Sequence, residues 1–240
     1  MAAYTVDTLF DPPLTLFQPE TGYRFSLDPV ILAGHVVPGP KDRVMDIGCG
    51  CGILCLILAG RHPEISITGI EIQKDLADLA QKNAVCNHMA DRIRIRHQNI
   101  QTLSVTDLSA PMDLIVSNPP YKKKSTGRVN PDRGRALARH EITLDIDTLA
   151  ACAHVFLRPE GRLCLIFPAS RTADLTVALG HAGFRIDWIR YVHFCVNDAA
   201  QRVLVCAVRY GSGAATRCPP LYLYHPDGTP TRAHSALFEW

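Results

Sequence analysis

The 240-residue chain lacks most of what would place it in a membrane or outside a cell. No apolar stretch reaches the roughly 18 residues that a membrane-spanning helix requires. The first residues, Met1-Ala2-Ala3-Tyr4-Thr5-Val6-Asp7, have neither the basic start nor the apolar run of a secretory signal. The expected location is therefore cytoplasmic. Nine cysteines are present but no C-x-x-C pair, which removes ordinary zinc spacing, so no metal is expected. An odd number of scattered thiols argues against a disulfide framework and fits small packed side chains in a reducing compartment. Net charge is nearly absent at +2, so the overall balance points to no partner. There is no internal repeat and no long low-complexity stretch. The length suffices for one sizeable core and falls short of two full domains with a linker, so 1–240 reads as a single domain.

What is present is an alternation of strand and helix signals. Apolar or β-branched runs at 43–47, 66–71, 93–96, 112–116, 162–167, 184–192 and 202–208 read as seven strands. Helical spacing occupies 53–59, 75–85, 149–157 and 175–182, the last closed by Gly183. This order predicts an α/β fold, a doubly wound, mostly parallel seven-stranded sheet with helices on both faces. Such sheets bind ligands beyond the carboxyl ends of their strands, where strand order reverses. Asp28-Pro29 ahead of Val30-Ile31-Leu32-Ala33 reads as an N-cap followed by proline at the first helical position. Residues 1–40 form an extension before the sheet. Residues 211–240 form another, with a turn at His225-Pro226-Asp227-Gly228 and a marginal edge strand over 221–224.

Two turns carry the chemistry. The first follows the first of the seven strands: Asp46-Ile47-Gly48-Cys49-Gly50-Cys51-Gly52. Its glycines alternate, unlike the G-x-G-x-x-G dinucleotide spacing, and glycine serves where the backbone takes positive φ or comes close to a ligand. Asp46 can accept from a ligand ammonium. Glu71, ending the next strand, can accept two ribose hydroxyls, and Asn99, after the third, can both donate to and accept from an adenine edge. In this order, Asp46, the glycines and Glu71 resemble the S-adenosylmethionine site of the Rossmann-like methyltransferases, many of which carry Asp where this chain has Asn99.

The second turn is Asn118-Pro119-Pro120-Tyr121, after Leu114-Ile115-Val116-Ser117. Proline fixes φ and removes a donor, so the adjoining carbonyls are held rigidly and remain free to accept. The Asn118 side-chain oxygen and the Pro119 carbonyl can each take one hydrogen of a flat –NH2 group, aiming its lone pair at an electrophilic methyl. Tyr121 offers a face for stacking a base, worth about 1–3 kcal/mol. These four residues are the candidate catalytic set. The motif resembles that of methyltransferases acting on the exocyclic amine of adenine or guanine, in rRNA among other RNAs, or on the glutamine amide of release factors. It does not choose among them. The release-factor enzymes have a separate N-terminal helical domain, for which the 1–40 stretch is too short.

From Lys122 to Arg139 there are seven basic residues, Lys122, Lys123, Lys124, Arg128, Arg133, Arg135 and Arg139, against one acid, Asp132. A basic stretch at the mouth of a site suits a polyanion, because neutralising phosphates supplies much of the affinity. These seven are the candidate RNA-binding residues.

A more specific resemblance runs from about Leu16 to Val208. Phe17-Gln18-Pro19, Gly22 to Gly34 with its Tyr23-Arg24-Phe25-Ser26-Leu27-Asp28-Pro29, Ala138-Arg139-His140-Glu141 and Ala200 to Val205 resemble the bacterial tRNA1(Val) (adenine-37-N6)-methyltransferase family. Lys122-Lys123-Lys124 is more basic than the family's usual continuation. The resemblance implies S-adenosyl-L-methionine as cofactor and a tRNA substrate methylated at the adenine beside the anticodon. It implies cofactor contacts at Phe25, Ser26, Asp28, Asp46, Gly48, Cys49, Gly50, Gly52, Glu71, Ile72, Asn99, Ile100 and Asn118. It also lays the 1–40 extension over the cofactor's methionine end.

Overall fold

The computed structural model describes residues 3–21, 24–120 and 144–239. Tyr121, the basic residues from Lys122 to Arg139, and His140 lie outside the described residues, so the readings placed on them rest on sequence.

The chain opens with β1 (Tyr4–Leu9) and β2 (Leu14–Pro19), an antiparallel hairpin, followed by α1 (Leu27–Ala33). Then come β3 (Arg43–Ile47), α2 (Ile53–Arg61), β4 (Ser66–Glu71), α3 (Lys74–Cys86), β5 (Ile93–His97) and β6 (Met112–Ser117). After them follow α4 (Ile146–Phe156), β7 (Leu157–Pro168), α5 (Thr172–His181), β8 (Phe184–Cys195) and β9 (Arg202–Arg209). The short β10 (Thr216–Arg217), β11 (Leu221–Tyr224) and α6 (Arg232–Ser235) close the order.

The seven expected strands form one contiguous run, β5-β4-β3-β6-β7-β9-β8. All pair in parallel except β9, which is antiparallel to both neighbours. β10 and β11 extend the sheet to nine strands by pairing in parallel with β8. Central strands such as Val203-Leu204-Val205-Cys206-Ala207 are buried continuously, as strands covered on both faces must be. Two apolar clusters fill the two faces. One joins β2, α1, α2 and the inner face of α3; the other joins α4, α5 and the 3₁₀ turn at Ile100. Strand order reverses between β3 and β6. Asp46 and the glycine turn leave one of these strands, and Asn118 leaves the other.

Three local features differ from the sequence expectation. The α1 helix begins earlier, with Ser26 as N-cap, its hydroxyl accepting from the Asp28 N–H at 3.3 Å. Asp28 is not the cap because its carboxylate accepts instead from Arg202. The fourth helix starts at Ile146, capped by Asp145, and Leu157 already belongs to β7. The hairpin is the third difference: β2 docks on α3 through side chains rather than through another strand. Among the described residues no helix is long and apolar enough to cross a membrane.

Candidate active site at the strand-order reversal

The glycine turn, Asp46 to Gly52, is built by backbone pairing to β4. The N–H groups of Gly48 and Cys49 both donate to the Ile70 carbonyl, at 2.8 and 3.1 Å. The Gly50 N–H donates to Glu71 Oε2 at 2.9 Å, and the Gln73 N–H donates to Glu71 Oε1 at 2.8 Å. Glu71 thus splints the turn from below, and each oxygen keeps a lone pair for another donor. Gly48 (φ 77°) and Gly52 (φ 86°) are in the left-handed region, for different reasons. A side chain at Gly48 would meet nothing within 4 Å, so the turn is open above it; one at Gly52 would lie 3.1 Å from the Ala80 Cβ on α3.

Asp46 lies at 1% exposure beneath the turn. The Cys55 thiol donates to its Oδ2 at 3.4 Å. Loss of water pushes its carboxyl up to about 7; the thiol contact opposes the rise and the Glu71 charge adds to it. Burial likewise pushes the Cys51 thiol up to about 12. All nine cysteines are free.

A hydrogen bond ties the strand end before Asn118-Pro119-Pro120 to the strand end before the glycine turn. In register, Asp46 lies beside Val116. One step further the strands diverge, and the buried Ser117 hydroxyl donates to the Ile47 carbonyl at 2.6 Å. Asn118 therefore leaves its strand level with Gly48. Pro29, Asp46, Gly48, Cys49, Cys51, Ile53, Leu54 and Asn118 line one hollow. Pro119 is buried behind Asn118, and Pro120 is exposed.

The remaining expected residues are placed around this hollow in different ways. Glu71 acts on it through Gly50. The Asn99 side-chain oxygen caps the next 3₁₀ turn by accepting from the Gln101 N–H at 3.0 Å, so its NH2 is the group left to donate. Ile72 is half-buried, while Ile100 is 5% exposed and packs in the core. Phe25 is half-buried against the core, and Ser26 is exposed. Asp28 is paired with Arg202.

Sequence reasoning missed Ser117, Asn83 and Arg202. Asn83, at 0% exposure, donates to the Cys51 carbonyl in the glycine turn at 2.8 Å. It also both donates to and accepts from the Phe17 backbone. A polar side chain falling on the apolar stripe of α3, in step with Leu76, Ala80 and Ala84, was the available signal.

The strand order and the two facing turns define a Rossmann-like α/β methyltransferase fold. Solved structures share it at the level of fold. A predicted O-methyltransferase from Agrobacterium tumefaciens superposes with a TM-score of 0.69 at 19% identity, covering 89% of this chain and 98% of that one. TrmN from Thermus thermophilus superposes at 0.51 and 20% identity, covering 71% and 44%. The family model for the methyltransferase small domain matches residues 29–174, and the chain belongs to that family. Among curated relatives, a tRNA1(Val) (adenine(37)-N6)-methyltransferase of Cronobacter sakazakii is 30% identical over 90% of this chain and 86% of its own. Proteins of the same name from two Porphyromonas gingivalis strains are 40% and 44% identical over 63% of this chain. Those matches span 61% of the relatives' length.

Proposed function

We propose that the chain transfers a methyl group from S-adenosylmethionine to N6 of adenine in RNA, the substrate being tRNA at position 37, beside the anticodon. The observation that carries this reading is that Asp46, Gly48 and Asn118 line one hollow at the strand-order reversal. The names of the curated relatives support the choice of tRNA and adenine.

The residues present fit the cofactor. Asp46 is a buried acid whose carboxyl is held up to about 7, and a ligand cation beside it would offset that cost. Glu71 retains acceptor capacity for ribose hydroxyls, and Asn99 retains its NH2 as a donor for a ring nitrogen of adenine. The segment from Phe25 to Pro29 would cover the methionine end. When bound, S-adenosylmethionine supplies an electrophilic methyl on a sulfonium.

The acceptor is held by the second turn. Asn118 Oδ1 and the Pro119 carbonyl would accept the two N–H bonds of the adenine amine, which keeps its lone pair out of the ring and turns it toward the methyl. With both N–H bonds accepted, the amine lone pair would be free to take the methyl, and the extra proton would pass from the nitrogen to water afterwards, so no strong base among these residues is required. In-line positioning of two bound partners contributes on the order of 7–11 kcal/mol at best. The target base must be unstacked, at a cost of a few kcal/mol that is least in a loop. Lys122 to Arg139 would bind its flanking phosphates.

The test is transfer of labelled methyl to bulk tRNA. Incorporation should be removed by ribonuclease and lost in Asn118→Ala, while Asn118→Ala still binds S-adenosylmethionine in a calorimeter. Label that survives ribonuclease and stays with protein would contradict the RNA reading.

A further inference from the structure

We infer that Arg202 is a positioning residue for the methyl-donor site, holding the first turn of α1 against the hollow through Asp28. The inference rests on the reading of that hollow as the methyl-donor site. Arg202 opens β9, where its partners are Pro168 at the end of β7 and Val192 near the end of β8. Its guanidinium therefore lies at the same sheet edge as Gly48 and Asn118. Nε donates to Asp28 Oδ2 at 2.9 Å, an ion pair whose side chains are 25% and 6% exposed, with arginine first. Nη1 donates to the Gln201 carbonyl at 3.1 Å, which fixes the plane of the guanidinium.

The pair joins two stretches 174 residues apart in sequence, and the residue after Asp28 is Pro29, which lines the hollow beside Asp46, Gly48 and Asn118. The stretch leading into α1 is pinned at its other end too. The Phe25 N–H donates to Gln18 Oε1 at 3.4 Å, Gln18 Nε2 donates to Asp7 Oδ2 at 2.6 Å, and Arg24 pairs with Asp7 at 3.3 Å. Residues 24–29 thus form a strap fastened to the hairpin at one end and to β9 at the other. Breaking a buried ion pair by removing one partner is strongly destabilising. Without the guanidinium the link between α1 and β9 is lost, and Pro29 with the start of α1 would be free to shift relative to the hollow. Arg202 thereby acts on cofactor binding without touching the reacting atoms.

The test is steady-state kinetics of the full chain, with S-adenosylmethionine and tRNA varied in turn, together with calorimetric titration by S-adenosylmethionine. Arg202→Gln should raise the S-adenosylmethionine KM and Kd about tenfold or more while kcat and the tRNA KM stay within about threefold. Arg202→Lys, which keeps the cation without the planar fork, should recover most of that loss. An unchanged S-adenosylmethionine KM, or a loss carried by kcat or by the tRNA KM, overturns the role. Should Arg202→Gln fail to fold, Arg202→Lys, Asp28→Asn and the double variant are compared: if Arg202 acts through Asp28, the rise in the S-adenosylmethionine KM and Kd of the double variant should fall short of the product of the single effects, and independent effects overturn the role. The wild type separates the two claims. Wild type that does not bind S-adenosylmethionine refutes the methyl-donor reading itself. Wild type that binds, with equal affinity in Arg202→Gln, refutes only the positioning role.

Discussion

Asp46, a carboxylate at 1% exposure, has the clearest electrostatic consequence in the site. Its ordinary value is 3.8, and in the fold burial raises it to about 7. The unfolded chain therefore releases this proton first, and stability declines as pH rises from about 4 toward 7. Asp46→Asn removes the penalty. It should unfold at higher urea than wild type at pH 8, by a few kcal/mol of extrapolated stability, with the difference closing toward pH 4. Ligand binding runs the other way. A ligand cation beside Asp46 would lower its pKa in the complex, so S-adenosylmethionine affinity should be full above about pH 7 and fall as pH drops below it. Calorimetry in buffers of different ionisation enthalpy should detect proton release near neutral pH. In Asp46→Asn the affinity should be lower and the pH dependence gone.

At the scale of elements, the hairpin is held by an asparagine ladder on α3. Asn87 both donates to and accepts from the Thr15 backbone, and one turn earlier Asn83 does the same for Phe17. Lys82 Nζ lies 3.8 Å from the ring centroids of both Tyr4 and Phe17. Asn83→Ala would orphan the Phe17 N–H, the Phe17 carbonyl and the Cys51 carbonyl, at a cost of roughly 2–4 kcal/mol. The expected readout is faster amide exchange in both β2 and the glycine turn, since Asn83 grips each of them. Exchange accelerated in β2 alone would contradict that coupling. This hairpin was not legible in the sequence because β2 pairs on one side with side chains instead of a strand. Its alternation, Leu14 and Leu16 buried with Thr15 and Phe17 half-buried, was the only trace. The strands from β3 to β9 were legible because their apolar runs are dense and bounded by glycine, proline or charge. The start of α1 reads falsely from sequence: Asp28-Pro29 has the chemistry of a cap, but Arg202, far away along the chain, claims the carboxylate and leaves the capping to Ser26.

At the scale of the molecule, the order β5-β4-β3-β6-β7-β9-β8 brings two turns about 70 residues apart to one place. The sequence supplied the residue types of both turns and their positions after strands. It could not show that Ser117 ties Asn118 to Ile47, because that contact depends on strand register. The two extensions also meet. Arg61 Nη2 donates to the Leu237 and Glu239 carbonyls, the Asp11 N–H donates to the Phe238 carbonyl, and the Phe10 and Phe238 rings are 5.5 Å apart. The C-terminal extension therefore packs on the hairpin turn and on the end of α2. The proposed polyanionic substrate makes a further expectation on this scale. tRNA affinity should fall steeply with salt, and combined replacement of Lys122, Lys123 and Lys124 by alanine should lower the log–log slope by about three without changing S-adenosylmethionine affinity.

The most direct measurement is a diffraction structure of the chain soaked with S-adenosylhomocysteine, the demethylated product. The sulfur should lie above Gly48, facing the Asn118 side chain, with the amino group toward Asp46 and the ribose toward Glu71. A ligand bound elsewhere, or a sulfur turned away from Asn118, would contradict the claim that the two strand ends assemble a methyl donor and an amine in one hollow.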